Sequence, residues 1–350
     1  MIFGKKARTV AGLDIGASSI KLVKLEDRAG TYALTSLGLR ELPTDVIVDE
    51  EIKDKDTVIF NLQNLVEQCD PRLKEVAISI SGHGVITDKI TMNQKSKKEA
   101  EQAILFEAEQ RSPFDVEDVT MDHHVVSVDE EIQKMDVLLV AARNEFLSSY
   151  VELVIDAGLR PVIVDTDALA ILNAYDLNYD IDPEKITALM DIGFDTTSIT
   201  FLKDGLFHST RDLASGGRTI FNTIMKEFRI NQELALKTIK GEMGSSIDQD
   251  MLKATVVTAS EELISGLEVA FSYFKSTAKV PQVDWIVLSG GGALIPFLPE
   301  FIQAKSNVPI EIANPLRNIE YDPDIFKDMQ PDRIAPLLAV SVGLASRKVK

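Results

Sequence analysis

The amino-acid sequence predicts an α/β protein made of two similar halves, with a smaller subdomain inserted into the first half. Short runs rich in β-branched residues alternate with longer stretches of helical periodicity, which is typical of α/β architecture. The tripeptide Asp-Ile-Gly at 14–16 returns at 191–193, each time at the end of a strand-like run. A further strand-like run at 284–289, DWIVLS, leads directly into three glycines. These repeated strand-and-glycine patterns indicate a duplicated fold.

The first half begins with strands and then alternates. Residues 9–14 and 20–25 are predicted as a strand pair around the first glycine turn, and YALTSLGLREL at 32–42 as a third strand. The apolar spacing of residues 56–69 predicts a helix, and EVAISIS at 75–81 predicts a strand.

The character of the sequence changes near residue 86. A helix is predicted at 95–110, ending ahead of Pro113, because the residue before a proline disfavours the helical conformation. Two strands and a helix that ends at Gly158 follow, and PVIVDTD at 161–167 resumes the buried-strand pattern. The sequence therefore predicts an inserted subdomain.

The second half contains longer helices between its strands. Helical periodicity predicts helices at 217–228, at 232–241 and at 260–277, and a final apolar helix at 336–347. The predicted units are 1–85 with 160–185 and 336–350 (subdomain 1A), 86–159 (inserted subdomain 1C), 186–217 with 281–335 (subdomain 2A) and 218–280 (subdomain 2B).

Composition limits the function classes. The chain has 350 residues, 45% of them hydrophobic, and a formal net charge of -18, which argues against nucleic acid as a partner. Cys69 is the sole cysteine, so no intramolecular disulfide can form. No apolar run has the length of a membrane span, and the small basic cluster Lys5, Lys6 and Arg8 attracts a membrane weakly. We therefore expect a cytoplasmic protein that reaches a membrane only through partners.

The two acidic glycine turns carry the predicted chemistry. A glycine at the bend lets backbone N–H groups converge on an anion, and an aspartate at a strand end offers a hard oxygen to Mg²⁺. A nearby lysine adds a point charge for terminal phosphates. The residues concerned are Asp14, Gly16, Ser18, Ser19 and Lys21 in the first turn, and Asp191, Gly193, Thr196 and Thr197 in the second.

Each turn taken singly is more often a simple tight turn, because Asp and Gly are common turn residues. Two such turns facing each other would grip a triphosphate from both sides. The triple glycine at 290–292 adds a place where the backbone can approach a base or a sugar, with a helix N-terminus nearby. The pattern is neither a G-x-G-x-x-G fingerprint nor a Walker A motif. The combination favours a nucleotide clamp.

Three motifs carry a family resemblance. GLDIGASSIK (12–21), LMDIGFDTTSITFL (189–202) and IVLSGGGALIPFL (286–298) resemble the phosphate-one, phosphate-two and adenosine motifs of the actin-like (ribonuclease H-like) ATPase superfamily. The insertion at 86–159 resembles the subdomain of the FtsA and PilM families. Because the sequence ends at SRKVK, without the amphipathic membrane helix of FtsA-type anchors, it is most similar to the PilM family of type IV pilus assembly proteins.

The resemblance implies a ligand and its contacts. PilM-type proteins bind ATP with Mg²⁺ between two lobes, which implies metal contacts from Asp14 and Asp191 and catalytic roles for Asp14, Asp167 and Asp191. Lys237 or Lys240 is expected to approach the base or ribose. The implied nucleotide-contacting residues are Gly16, Ala17, Ser18, Ser19 and Lys21, Gly193, Asp195, Thr196 and Thr197, Gly216 and Gly217, and Gly290, Gly291, Gly292 and Ala293.

One position departs from the superfamily pattern. Many relatives have Glu-Pro in the first connecting segment, where this sequence has Asp167-Ala168. The shorter carboxylate is displaced by about an ångström, and a misplacement of that size can cost roughly a hundredfold in rate. ATP binding is therefore the prediction, with at most slow hydrolysis.

The resemblance also implies a place in the cell. PilM-type proteins hold the N-terminal cytoplasmic tail of the bitopic membrane protein PilN in a groove between the inserted subdomain and domain 1. We therefore expect a role at the cytoplasmic face of the inner membrane, beside other proteins of the pilus platform. The alternatives are a metabolic kinase on the same fold, or a polymerising cytoskeletal or cell-division protein. The sequence leaves homo-oligomer formation open.

Overall fold

The computed structural model describes residues 8–94, 103–104, 106–107, 115–242, 247–327 and 329–349. Its strands are β1 (Arg8–Thr9), β2 (Ala11–Ile15), β3 (Ser19–Arg28), β4 (Thr31–Glu41), β5 (Ile47–Val48), β6 (Glu51–Ile52), β7 (Glu75–Ile80), β8 (Val85–Asn93), β9 (Val119–Asp129), β10 (Lys134–Arg143), β11 (Arg160–Thr166), β12 (Thr187–Ile192), β13 (Thr197–Lys203), β14 (Leu206–Leu213), β15 (Trp285–Ser289), β16 (Ile310–Ile312), β17 (Ile319–Glu320) and β18 (Lys348–Val349).

Helices lie between these strands in the described parts of the chain. The α-helices are α1 (Lys55–Cys69), α2 (Asn144–Asp156), α3 (Asp167–Asn178), α4 (Gly217–Phe228), α5 (Gln232–Ile239), α6 (Gln249–Ala259), α7 (Glu261–Ala278), α8 (Leu298–Ser306), α9 (Pro331–Ile334) and α10 (Ala339–Ala345). Short 3₁₀ turns occupy Gly82–Gly84, Val116–Asp118, Gly291–Leu294, Pro323–Phe326 and Ala335–Leu338.

The two main sheets repeat one topology. The first sheet runs β4-β3-β2-β7-β11, with β17 added at the outer edge of β4, and the second runs β14-β13-β12-β15-β16. In both sheets the first three strands are antiparallel neighbours and the next two join in parallel. Each half therefore starts with a three-stranded meander, whose first turn carries Asp-Ile-Gly. This topology confirms the predicted duplicated α/β fold.

Local capping explains where several helices begin. The side chain of Asp54 accepts a hydrogen bond from Thr57 N (3.0 Å) at the start of α1, and Thr166 accepts one from Leu169 N (3.3 Å) at the start of α3. Such caps contribute about 1 kcal/mol each. The second cap has a consequence for the site, because it fixes Asp167 in the first turn of α3.

The inserted region contains a sheet of its own. Strands β8, β10 and β9 form an antiparallel three-stranded sheet within the predicted insertion. The helix that follows them, α2, buries Tyr150, Leu153 and Val154 in the core of the first half. Nearly all of the helix predicted at 95–110, and its end ahead of Pro113, lie outside the described residues.

The final helix joins the halves. Every residue of α10 is buried. It packs against β2 and α3 of the first half, and Leu344 shares a hydrophobic cluster with Leu189 and Val287 of the second sheet. Close backbone approach is possible because Gly343 lies against Ala170 of α3. This contact sets the distance between α10 and α3.

The stretch before α10 differs from the predicted boundary of the second half. Residues 281–335 were assigned to the second half, yet β17 pairs in parallel with β4 of the first sheet. Leu316, Ile319 and Phe326 pack in one cluster with residues of β3 and β4. The chain thus returns to the first half near residue 316. Local periodicity cannot show this, because the pairing joins residues far apart in sequence.

Candidate functional site

A cleft with two ends lies between the two main sheets. One end is a cavity of about 100 Å³ that is lined largely by polar and acidic side chains. The other is a cavity of about 520 Å³ with a more apolar lining. Residues that line both cavities show that they are continuous: Ser18, Ser19, Gly193, Phe194, Gly291 and Leu337. The cleft therefore has an acidic end and a larger apolar end.

The two glycine turns face each other across the acidic end. In the first turn the Gly16 amide donates to Ser19 O (3.1 Å), and in the second the Gly193 amide donates to Thr196 O (2.8 Å). The turns are thus built by the same hydrogen bond. Asp14 and Asp191, which precede them, both line this cavity. The structure brings the duplicated motifs together, as the sequence predicts.

Asp14 and Asp191 lie in different electrostatic settings. Lys21 Nζ is 3.1 Å from Asp14 Oδ2, and the Lys21 side chain is only 12% exposed. Asp191 accepts a hydrogen bond from Ser289 Oγ at 2.6 Å. Burial, and to a smaller extent the charge of Asp14, raises the pKa of Asp191 to about 6. The turns therefore concentrate negative charge that a cation would relieve.

Asp167 lies deeper, at the end of the first sheet. Burial and then the negative charge of Asp14 raise the pKa of Asp167 to about 8, although hydrogen bonds with Ser79 and Ser81 oppose the shift. At neutral pH this carboxyl group is thus mostly protonated in the nucleotide-free protein. A protonated carboxyl group cannot act as a base toward water.

Several residues of the acidic end were missed by the sequence analysis. Glu50 and Asp212 add carboxylates, and Tyr150 lines the same cavity. Burial raises the pKa of Glu50 and of Asp212. Ser79 lies near the carboxyl end of β7 and Ser81 directly follows it, at the edge where sites form in such sheets, so their position is a usable signal. Glu50 and Asp212 gave no local signal.

The apolar end contains most of the third glycine motif. Gly290 has φ +79°, and a Cβ there would lie 2.4 Å from Ile192 O, so only glycine fits. Gly291, Gly292 and Gly217 line this cavity, together with Leu236 and Ile239 of α5.

The lysine that sequence left ambiguous is resolved by position. Lys240 lines the apolar cavity and pairs with Glu41. Lys237 is exposed and pairs with Glu233 instead, at 2.7 Å. The structure therefore brings Lys240, which directly follows α5, to the cleft and leaves Lys237 outside the cavity lining.

Other predicted contacts also fall outside the cavity linings. The Thr197 hydroxyl is buried and donates to Ser215 O (2.7 Å). Gly216 packs against the carbonyl groups of Gly193 and Phe194, and Ala293 is buried in the core of the second half. The structure thus places these three predicted residues outside the two cavity linings, because the backbone around each one directs its side chain or Cβ position toward neighbouring backbone or the core.

Asp195 lines the acidic end but is already engaged. Its carboxylate forms a bidentate ion pair with Arg218, with one contact at 3.0 Å, and also accepts from the Asp49 amide at 2.8 Å. Its side chain is 2% exposed. Asp195 is therefore a structural anchor of the second turn, where the sequence analysis assigned it a nucleotide contact.

Among the described residues, no group of three or more His, Cys, Asp or Glu side chains is arranged to hold a metal ion. No described helix combines the length and hydrophobicity that crossing a membrane requires.

Comparison with known proteins identifies the class. A solved structure of a PilM-PilN type IV pilus biogenesis complex contains a chain that is 25% identical, with a TM-score of 0.84 over 96% of this chain and 97% of that chain. The ethanolamine utilization protein EutJ of Carboxydothermus hydrogenoformans is 17% identical, with a TM-score of 0.54 over 98% and 90% of the two chains. MreB5 of Spiroplasma citri bound to AMPPNP is 13% identical, with a TM-score of 0.51 over 96% and 94%.

These structural neighbours and the facing turns define a protein with the actin-like ATPase fold. The family model described as type IV pilus assembly protein PilM matches residues 12–349. The chain belongs to this PilM family of type IV pilus assembly proteins. The family predicted from the three motifs is thereby confirmed, and the kinase and polymerising alternatives are not favoured.

Proposed function

We propose that the protein binds ATP with Mg²⁺ in the cleft between its two halves. The observation that carries this proposal is the meeting of the two glycine turns at one acidic cavity, continuous with a larger apolar cavity. The triphosphate lies between the turns, and the adenosine occupies the apolar end near Gly291, Gly292 and Lys240. The nucleotide-bound MreB5 structure supports the proposal through its related fold.

The donor set at the acidic end fits Mg²⁺. Mg²⁺ in nucleotide sites is held by one or two carboxylates, water and phosphate oxygens. Asp14 and Asp191 are the carboxylates at the ends of β2 and β12, and both line the acidic cavity. A bound Mg²⁺ would supply positive charge against the phosphates. Lys21 would hold a phosphate oxygen as a point charge, while the turn amides donate hydrogen bonds.

We propose that hydrolysis is slow. The family resemblance places Asp167 where many relatives have a glutamate, and its side chain makes hydrogen bonds with Ser79 and Ser81. In the protein without nucleotide, burial raises its pKa to about 8, which disfavours the carboxylate form that would orient or deprotonate water. Nucleotide would then act mainly by stabilising the closed arrangement of the two halves.

Lys21→Ala is expected to weaken ATP binding by about 10- to 100-fold, since a charge-assisted hydrogen bond contributes roughly 1.5–3 kcal/mol. Titration calorimetry with ATP and Mg²⁺ measures the affinity, and circular dichroism checks the fold. Lys237→Ala is the matched control, because Lys237 is an exposed lysine outside the cleft. Wild-type affinity in Lys21→Ala, or equal losses in both variants, would contradict the proposed phosphate contact.

We also propose that the protein holds the N-terminal cytoplasmic tail of a PilN-like membrane protein. The similar chain in the PilM-PilN complex supports this proposal, because the match extends over nearly all of both chains. The tail would lie between the inserted sheet, β8-β10-β9, and the first half. Through this tail the protein would work at the cytoplasmic face of the inner membrane, beside the other proteins of the pilus platform.

A synthetic peptide of the PilN-like tail is expected to bind specifically, although ordering the flexible segment offsets about 2–5 kcal/mol of the contact energy. Fluorescence anisotropy with a labelled peptide measures the affinity. A scrambled peptide of the same composition is the control. Equal binding of the two peptides would show that charge alone attracts them and would refute specific recognition.

A further inference from the structure

A short hairpin of the first half reaches into the acidic end of the cleft. Strands β5 and β6 are joined by Asp49 and Glu50, with φ of +50° and +66°. A two-residue hairpin turn with both φ values positive usually contains Asn or Gly, because other residues resist that conformation. Strained positions of this kind persist only where surrounding contacts hold them.

The contacts of Glu50 join the two halves of the molecule. One carboxylate oxygen accepts a hydrogen bond from Ser81 Oγ of the first half at 2.9 Å, and the other accepts from Thr196 Oγ1 of the second glycine turn. The backbone carbonyl of Glu50 accepts from the Tyr150 hydroxyl at 2.9 Å. The side chain is therefore doubly hydrogen-bonded and shared between the halves.

Arg218 makes a second connection beside the first. Its guanidinium group binds Asp195 of the second turn and also donates to two carbonyl oxygens of the first half, Thr44 O and, at 3.1 Å, Ile47 O. Asp195 in turn accepts from the amide of Asp49 in the hairpin. One arginine thus links the second turn to the segment that carries Glu50.

These contacts define an interlobe latch, made of Glu50, Thr196, Arg218, Asp195 and the hairpin at 47–52. Glu50, Asp195 and Thr196 also line the acidic cavity. The latch is therefore part of the wall against which a phosphate would lie. Its hydrogen bonds hold the second turn opposite the first.

We propose that Glu50 and Arg218 are positioning residues, which hold the second glycine turn against the first half before nucleotide enters. This inference rests on the proposed nucleotide binding. A site whose parts are already in place binds more tightly, because less order is lost on association. The hydroxyl groups of Thr196 and Ser81 are the groups that Glu50 orients.

The first experiment uses hydrogen exchange of the nucleotide-free protein. In Glu50→Ala the amides of residues 47–52 and 193–197 are expected to exchange about tenfold faster than in the wild type. The reason is that the substitution removes the hydrogen bond between the hairpin and Thr196 of the second turn. The Asp49 amide is the direct reporter, since it donates across the latch. In Glu50→Gln the side chain keeps two terminal atoms, Oε1 and Nε2, that can form hydrogen bonds. The amides of this variant are therefore expected to exchange at nearly the wild-type rate.

The second experiment measures affinity for ATP with Mg²⁺. Glu50→Ala and Arg218→Lys are expected to bind about tenfold more weakly, since lysine cannot reproduce the bidentate geometry of arginine. Glu50→Gln is expected to bind at least as tightly as the wild type. Glu233→Ala is the matched control, because Glu233 is 75% exposed on α5. Arg218→Lys provides the test if Glu50→Ala does not fold.

The outcomes separate the two proposals. Unchanged exchange in both Glu50→Ala and Arg218→Lys, or a Glu50→Gln variant as defective as Glu50→Ala, overturns the positioning role. If the wild type binds no ATP while exchange still accelerates in Glu50→Ala, the latch stands and the proposed nucleotide function fails. Faster amide exchange together with weaker ATP binding in Glu50→Ala, both restored to nearly wild-type values in Glu50→Gln, supports both the positioning role and the proposed nucleotide binding.

Discussion

Removal of Mg²⁺ by a chelator is expected to weaken ATP binding by about 1,000-fold or more. The acidic cavity is lined by the carboxyl groups of Asp14, Glu50, Asp167, Asp191, Asp195 and Asp212, and Lys21 is the one cationic side chain among its described lining residues. A single unrelieved pair of like charges about 4 Å apart costs roughly 4 kcal/mol at an effective dielectric constant near 20. That energy corresponds to about three orders of magnitude in affinity.

Calorimetry with and without excess chelator measures this dependence. Asp191→Asn is an informative variant, because it removes one negative charge while keeping the shape of the side chain. Its ATP affinity should therefore fall less on chelation than that of the wild type. Thermal unfolding of the nucleotide-free protein with chelator controls for an effect on the fold. Equal ATP affinity with and without Mg²⁺ would refute the placement of the phosphates at the acidic end.

Gly343→Ala is expected to destabilise the protein by about 3 kcal/mol or more, near the upper end of the cost of overpacking. A Cβ on Gly343 would lie 1.7 Å from the carbonyl oxygen of Ala170, and that oxygen belongs to the backbone of α3. Neither helix can move away easily, because α10 is buried along its whole length. Denaturant unfolding measures the loss in the free energy of unfolding.

Gly266→Ala is the matched control for this prediction. Gly266 is also inside a helix, α7, but its Cβ would meet the Leu213 side chain at 3.1 Å, and a side chain can shift. Alanine also favours the helix by about 1 kcal/mol over glycine. The stability of Gly266→Ala should therefore stay within about 1 kcal/mol of the wild type. If Gly343→Ala were equally well tolerated, the close packing of α10 on α3 would be wrong.

Sequence reasoning was most successful where function depends on a local pattern. The repeated Asp-Ile-Gly turn and the triple glycine correctly placed Asp14, Asp191 and Gly290 at the carboxyl ends of the three strands β2, β12 and β15. It was less successful where a side chain's direction matters. Thr197 and Ala293 belong to the right motifs but point into the core, because packing of the second sheet decides which face each residue takes.

Residues from distant parts of the chain were beyond local reasoning. Glu50 follows no motif, and it reaches the site because a short hairpin projects it toward Thr196, 146 positions away. Arg218 gave no signal either, since its partners include carbonyl oxygens of Thr44 and Ile47. The return of the chain to the first half at β17 was missed for the same reason.

The sequence alone determined the duplicated α/β fold, the family and the two acidic turns, because hydrophobic periodicity and glycine at bends are local constraints on the backbone. Only the tertiary structure decided that the two turns meet in one cleft and that burial raises the pKa of Asp167 there. It also decided that Glu50 and Arg218 make hydrogen bonds between the two halves. The physical reason is that burial, pKa and contacts between the halves depend on groups that folding brings together from separate parts of the chain.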